Sequence, residues 1–211
     1  MILGIDTSLG TAVAVIEPDG YVRAEIQSAD ARGHAELIGT LIATALAEAE
    51  VAAADVTYVA AGMGPGPFTG LRVGIAAARA FALGGAAGRG IPLVPVVSHD
   101  AVALSLLMAD ADEPFAVVTD ARRREFAYTV YDGLDDDGLP VRVDDPTLAP
   151  HAELNTVLAG QGVQRRDAAS IPASLLALAA ARAVAADRVI GPQDALYLRS
   201  PDVTPPKRVV V

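Results

Sequence analysis

An α/β protein of two lobes, the second smaller than the first, is the fold class this sequence predicts, and three observations predict it. Short apolar runs alternate with stretches of helical periodicity. A unit of strand, Asp, strand, turn and strand occurs twice, over Ile2 to Gln27 and again over Phe115 to Val143. Between the copies, Asp110-Ala111-Asp112-Glu113-Pro114 breaks the apolar pattern and suits a boundary. These place a first lobe over residues 1–109 and a smaller lobe over 110–211, with part of the last helix expected to pack back on the first lobe.

The elements follow in order. Ile2 to Asp6, Thr11 to Ile16 and Tyr21 to Gln27 read as strands, the last two joined at Asp19-Gly20, a strong hairpin signal. His34 to Ala49 reads as a helix, because Leu37, Ile38, Leu41, Ile42, Ala45 and Leu46 recur at three- and four-residue intervals. A strand near Val56 to Ala61, a glycine-rich loop, a helix over Leu71 to Leu83, a strand over Pro92 to Val96 and a helix from Ser98 to Met108 complete the first lobe. In the second, Phe115 to Asp120, Glu125 to Tyr131 and Val141 to Val143 read as strands and His151 to Leu158 as a helix. Gly160 to Ser170 is polar and short, which makes this lobe look reduced. Ala173 to Ile190 is an Ala-rich packed helix, too charged and too weakly apolar to span a membrane. Pro201, Pro205 and Pro206 mark an extended, partly mobile tail. A duplicated strand-Asp-strand plan is the ground plan of two-lobed sheets with a ligand between the lobes, as in actin, the sugar kinases and the heat-shock ATPases.

Composition narrows the function. Net charge is −10 and the single lysine is Lys207, so binding a polyanion unaided is disfavoured, and any nucleic-acid substrate needs a partner to supply contacts. The absence of cysteine excludes a disulfide framework, a thiolate metal site and a Cys nucleophile. The start, Met1-Ile2-Leu3-Gly4-Ile5-Asp6, has no basic region and breaks too soon for a signal peptide, so the chain is expected to be cytoplasmic.

Several residues invite a chemical reading. Gly62 to Gly74 turns from a strand into a helix, where glycines either cradle a phosphate or only permit tight geometry, and the spacing with no nearby lysine does not make a P-loop. Asp6-Thr7-Ser8 ends the first strand, where it can meet a phosphate or magnesium or simply organise a turn, and Asp120 repeats that choice in the second lobe. Arg122-Arg123-Arg124 is a basic cluster that reads as an anion contact or as a charged turn. Gly70, Gly74 and Ala78 form a small-residue stripe, expected to admit a helix of another chain, with Arg72 and Arg79 on a neighbouring face. His34, His99 and His151 include no pair spaced for a metal, and no G-x-S-x-G elbow occurs, so neither a metal ligand set nor a nucleophile is named.

Taken together, Ile2-Leu-Gly-Ile-Asp-Thr-Ser8, Gly64-Pro-Gly-Pro-Phe-Thr-Gly-Leu-Arg-Val-Gly-Ile75, Asp120-Ala-Arg122 with Glu125, and Leu196-Tyr-Leu-Arg199 resemble the TsaB (YeaZ) family. The resemblance spans the chain and implies the actin-like ATPase (ASKHA) fold, with a ribonuclease H-like motif and a reduced second lobe. It also implies a bacterial accessory subunit, itself not an enzyme, that pairs with TsaD and the ATPase TsaE. That assembly transfers threonylcarbamoyl to N6 of the adenosine beside the anticodon, in tRNAs reading codons that begin with A. The catalytic relative carries a histidine pair on its first helix; here His34-Ala-Glu-Leu-Ile38 has isoleucine at the second position. ATP with magnesium, and iron or zinc, are therefore expected only through partners, and no metal site or catalytic residue is assigned to this chain. In the family the first two helices form the partner contact, which maps onto His34, Leu41, Gly70, Arg72, Gly74, Ala78 and Arg79 and also serves a homodimer when the subunit is alone. Asp6, Thr7, Ser8, Asp120 and Arg122 map onto a vestigial phosphate loop. The short Gly160 to Ser170 stretch departs from longer members, as does Ala195 where many carry proline. Two rivals stand beside this reading: a small-molecule kinase of the same fold using Asp6 and Asp120 around magnesium and ATP, and a peptidase.

Overall fold

The computed structural model describes residues 1–29, 33–109, 111 and 113–199. The expected tail at Pro201, Pro205 and Pro206 lies outside the described residues, as do Asp110 and Asp112 of the boundary segment.

Strands β1 (Ile2–Asp6), β2 (Thr11–Ile16), β3 (Val22–Ser28), β4 (Tyr58–Gly62) and β5 (Leu93–Val96) form a sheet in the order β3-β2-β1-β4-β5. The first three are antiparallel and the last two run parallel to β1. The β2–β3 turn closes at Asp19-Gly20, where Gly20 takes φ +96° and the Asp19 carboxylate accepts the Tyr21 N–H. Both faces of β1 are covered, so alternate residues enter different cores. Leu3 and Ile5 pack under helices α1 (His34–Glu48) and α2 (Phe68–Gly88) with Ile38, Ala45, Leu71, Ile75 and Ala78. Ile2 faces the other way, toward α3 (Ser98–Met108) and α5 (Ala173–Ala185).

The second sheet holds β6 (Phe115–Asp120), β7 (Glu125–Leu134), β8 (Pro140–Arg142), β9 (Thr147–Pro150) and β10 (Gln164–Asp167), in the order β10-β6-β7-β8. β9 pairs with the first half of β7 and β8 with its end. Helix α4 (Leu154–Gln161) covers the outer face over Ala116, Val118 and Val130. The inner face, with Phe115, Val117 and Tyr131, shares one core with α3, α5 and the first sheet. Gly4 marks the closest approach of α5 to that sheet: a Cβ there would collide with the Ala173 carbonyl and stand 3.1 Å from the Ala177 Cβ. Ser174 adds a polar tie, its Oγ donating to the Glu25 carboxylate at 2.6 Å.

The sequence reading lacks β9 and sets α4 three residues early, at His151 to Leu158, and three further elements differ from it. β10 occupies the polar stretch read as reduced, because the open edge of β6 supplies its hydrogen bonds while its own side chains stay largely exposed. The second lobe therefore has five strands like the first, and its reduction lies in carrying one outer helix instead of two. α2 starts earlier than expected, at Phe68, and loses helical geometry at Gly85 to Ala87. α5 stops at Ala185, short of Ile190, where Asp187 turns to φ +53°.

Candidate functional site in the cleft between the lobes

β1 delivers Asp6 to the first-lobe wall, 2% exposed. Its Oδ1 accepts the Ser8 N–H at 2.7 Å, and its Oδ2 accepts the hydroxyls of Ser98 at 2.5 Å and Ser8 at 3.1 Å. Ser98 Oγ also accepts the Gly64 N–H at 3.1 Å, and Thr7 Oγ1 donates to the Gly70 carbonyl at 2.7 Å. Burial raises the Asp6 carboxyl above its ordinary range, partly offset by the bonds from Ser98 and Ser8.

Gly62, Gly66, Gly70 and Gly74 recur every four residues, and each presents its missing side chain to this segment. A Cβ on Gly62 would overlap Asp6 Oδ2, one on Gly66 would lie 2.8 Å from Ser8 Cα, and one on Gly70 2.7 Å from the Thr7 carbonyl. At Gly74 it would strike Thr7 Oγ1 and stand 2.9 Å from Thr7 Cγ2. Close approach is thus the requirement these four glycines meet. The stripe of Gly70, Gly74 and Ala78, expected to receive a helix of another chain, faces the interior instead, with Ala78 fully buried. The reason is that α2 lies over the end of β1, where nothing larger fits. His34 is likewise 6% exposed, its Nδ1 2.6 Å from Thr11 Oγ1, rather than offered to a partner. Of the residues mapped to a partner contact, Leu41 is half-buried and Arg72 and Arg79 are exposed.

The second-lobe wall is the β6–β7 turn. Asp120, the counterpart of Asp6, keeps 64% of its side chain exposed; its Oδ1 accepts the Arg122 N–H at 2.8 Å and lies 3.6 Å from His151 Nε2. Equal positions in the duplicated unit therefore hold carboxylates in opposite environments. Arg122, Arg123 and Arg124 all adopt left-handed backbone, with φ of +63°, +54° and +63°. Arg122 and Arg123 line a cleft of about 560 Å³ between the lobes, together with Ser8, Gly66, Phe68 and Thr119. Segment 196–199 closes the rim through Tyr197, Leu198 and Arg199.

Sequence reasoning missed the start of α3, where Ser98, His99 and Asp100 are three consecutive buried polar residues. Ser98 ties the first lobe as described. His99 reaches the second, with Nδ1 2.8 Å from Thr129 Oγ1 and Nε2 2.9 Å from Thr119 Oγ1. Burial lowers its imidazole to about 3, so it is neutral, donating through one nitrogen and accepting through the other. Asp100 accepts the Tyr131 hydroxyl at 2.8 Å and pairs with Arg142 Nε at 3.4 Å. Burial raises its carboxyl to about 7 despite the opposing pull of Arg142 and Tyr131. The signal available was a helix opening Ser-His-Asp on an otherwise apolar pattern; the partners come from strands 20 to 31 residues away.

Asp6 offers little to a magnesium nucleotide, because its carboxylate is 2% exposed and Ser8 and Ser98 fill three of its about four acceptor sites. Nor does α1 fit a paired-histidine metal, since His34 is turned onto Thr11 and Ile38 is in the core. The cleft can offer an anion the Arg122 and Arg123 side of the turn. No described helix is long and apolar enough to cross a membrane.

Comparison with known proteins matches residues 22–148 to the family "TsaD: tRNA N6-adenosine threonylcarbamoyltransferase". An uncharacterized protein of Mycobacterium leprae is 34% identical over 97% of this chain and 56% of its own length. One of Mycobacterium tuberculosis is 42% identical over 63% of this chain and 60% of its own. The tRNA N6-adenosine threonylcarbamoyltransferase of Streptococcus pneumoniae is 38% identical over 54% of this chain and 36% of its own. The chain thus spans little more than half the length of the mycobacterial relatives and about a third of the transferase. YeaZ from Pseudomonas aeruginosa superposes with a TM-score of 0.73 at 23% identity, over 93% of this chain and 99% of that one. A second Pseudomonas aeruginosa structure, described as similar to peptidase YEAZ, gives 0.75 at 24%, over 94% and 99%. The two five-stranded sheets are the actin-like fold in the form that YeaZ takes, and the chain belongs to the TsaD family.

Proposed function

We propose that this chain takes part in threonylcarbamoylation of tRNA as a non-catalytic subunit that pairs with a TsaD-type transferase, and through it with TsaE. The observation that carries the reading is α1, where a family member has isoleucine at position 38 and its one helix histidine held by Thr11. A chain that matches the transferase over about a third of the latter's length is further support. ATP, magnesium and the metal of the reaction are then the partners' to bind, and tRNA meets this acidic chain within the complex. Its contribution is positional: docking fixes the partner's lobes, a coupling between sites without chemistry here.

The docking surface is the outward side of α1 and α2, with Leu41, Arg72 and Arg79 as its anchors. The same side serves a homodimer when the subunit is alone. The test is reconstitution of threonylcarbamoyl transfer to tRNA from TsaD and TsaE, with and without this chain. Transfer that depends on the chain and is lost with Leu41→Asp is the expected outcome; transfer independent of it refutes the proposal. The rival kinase reading predicts tight Mg-ATP binding by the isolated chain in titration calorimetry. The burial of Asp6 and the three hydrogen bonds it already accepts speak against that outcome.

A further inference from the structure

The sequence motif Leu196-Tyr197-Leu198-Arg199 has no part in either lobe's sheet, yet it touches both lobes. Its near end lies on the glycine loop and α2. The Leu196 N–H donates to the Met63 carbonyl at 2.7 Å, and the Tyr197 ring packs against Phe68 with centroids 4.7 Å apart. The Arg72 guanidinium sits 4.0 Å over the Phe68 ring, and its Nε donates to the Tyr197 hydroxyl at 3.3 Å. Further back, Arg79 donates to the Gln193 carbonyl at 2.8 Å. The segment is anchored at Gly191, where a Cβ would come 2.5 Å from the Pro95 carbonyl.

Its far end grips the β6–β7 turn. Arg199 pairs with Glu125 and donates to the carbonyls of Ala121 at 3.4 Å and Arg122 at 3.2 Å. Between the two ends lies the mouth of the cleft. At the closed end, His99 and the shared core join the lobes, which makes that end the pivot. We infer that residues 193–199 form a latch across the cleft mouth, and that docking on α2 and opening of the cleft are coupled through it.

The latch is built to release. Arg199 and Glu125 keep about 30% of their side chains exposed, so their ion pair is weak and exchangeable. Segment 193–199 has no helix or strand of its own to hold it. The coupling rests on the docking reading above: Arg72 and Arg79 are both the near-end ties of the latch and the proposed anchors for a partner. A partner carboxylate that claims either guanidinium competes with the Tyr197 hydroxyl or the Gln193 carbonyl. By linkage, a change that frees the latch strengthens docking by the same factor that docking frees the latch.

The test uses the full chain. Because it contains no cysteine, spin labels go in specifically at Ala76→Cys on α2 and Thr147→Cys on β9, both exposed. Electron-electron dipolar distances should give one narrow distribution in the parent and a longer or second distance in Arg199→Ala. An unchanged distribution in a folded Arg199→Ala overturns the latch. If that variant does not fold, Glu125→Ala, which removes the ion pair from the other side, is read in the same way. Affinity for TsaD, measured separately, should rise about 5-fold in Arg199→Ala, the low end of ordinary coupling. Failure of the parent to bind TsaD refutes the docking reading and leaves the distance result to decide the latch; binding of equal strength by parent and variant refutes the coupling.

Discussion

Replacing Asp100 by Asn should change how stability depends on pH, because Asp100 and its neighbour His99 are tuned in opposite senses by the same burial. Asp100 titrates near 7 in the folded chain, above its ordinary 3.8. Between those values the folded state holds a proton that the unfolded state has lost, so stability falls as pH rises, by up to about 1.4 kcal/mol per pH unit. His99 titrates near 3, below its ordinary 6.5. Between those values the unfolded state holds the extra proton, so stability rises with pH by a similar slope. Across pH 4.5 to 6.5 the two cancel in the parent. Asp100→Asn keeps an acceptor for the Tyr131 hydroxyl and removes one of the opposing slopes. Relative to the parent, the variant should therefore gain about 2–3 kcal/mol between pH 4.5 and pH 6.5. Urea unfolding monitored by circular dichroism at half-unit pH steps measures this directly. A difference between variant and parent that is constant across the range would refute the opposed-titration account.

Other outcomes follow from the same contacts. Ser98→Ala strips a donor from Asp6 and an acceptor from the Gly64 N–H, and should cost about 1–3 kcal/mol in the same unfolding assay. Gly74→Ala drives a methyl into Thr7 and should destabilise by about 1–3 kcal/mol, in contrast to a surface substitution such as Glu48→Ala, expected within about 0.5 kcal/mol. Gly4→Ala should cost a similar 1–3 kcal/mol by pushing α5 off the first sheet. Arg124→Gly should raise stability by about 1 kcal/mol, since it removes a left-handed non-glycine residue from the β6–β7 turn. A melting temperature that falls in that variant would contradict the strain argument.

The sequence by itself determined the alternation of strands and helices, the hairpin at Asp19-Gly20, the duplicated strand-Asp unit and the isoleucine where a second histidine would stand. These are local facts: apolar period, turn chemistry and residue identity are written along the chain. It did not determine β10, because an edge strand made of Gln, Arg and Asp has no apolar pattern and exists only where β6 leaves an edge to pair with. It could not tell Asp6 from Asp120, which occupy equal places in the two units, since burial against Gly62 and Ser98 closes one and open solvent leaves the other exposed. Nor could the spacing of Gly70, Gly74 and Ala78 say which way their face points. That direction was decided by the end of β1 lying beneath α2, a contact between residues more than 60 positions apart. The polar start of α3 and the segment at Tyr197 to Arg199 became legible for the same reason: each is defined by what two lobes bring to it, and no window along the chain contains both.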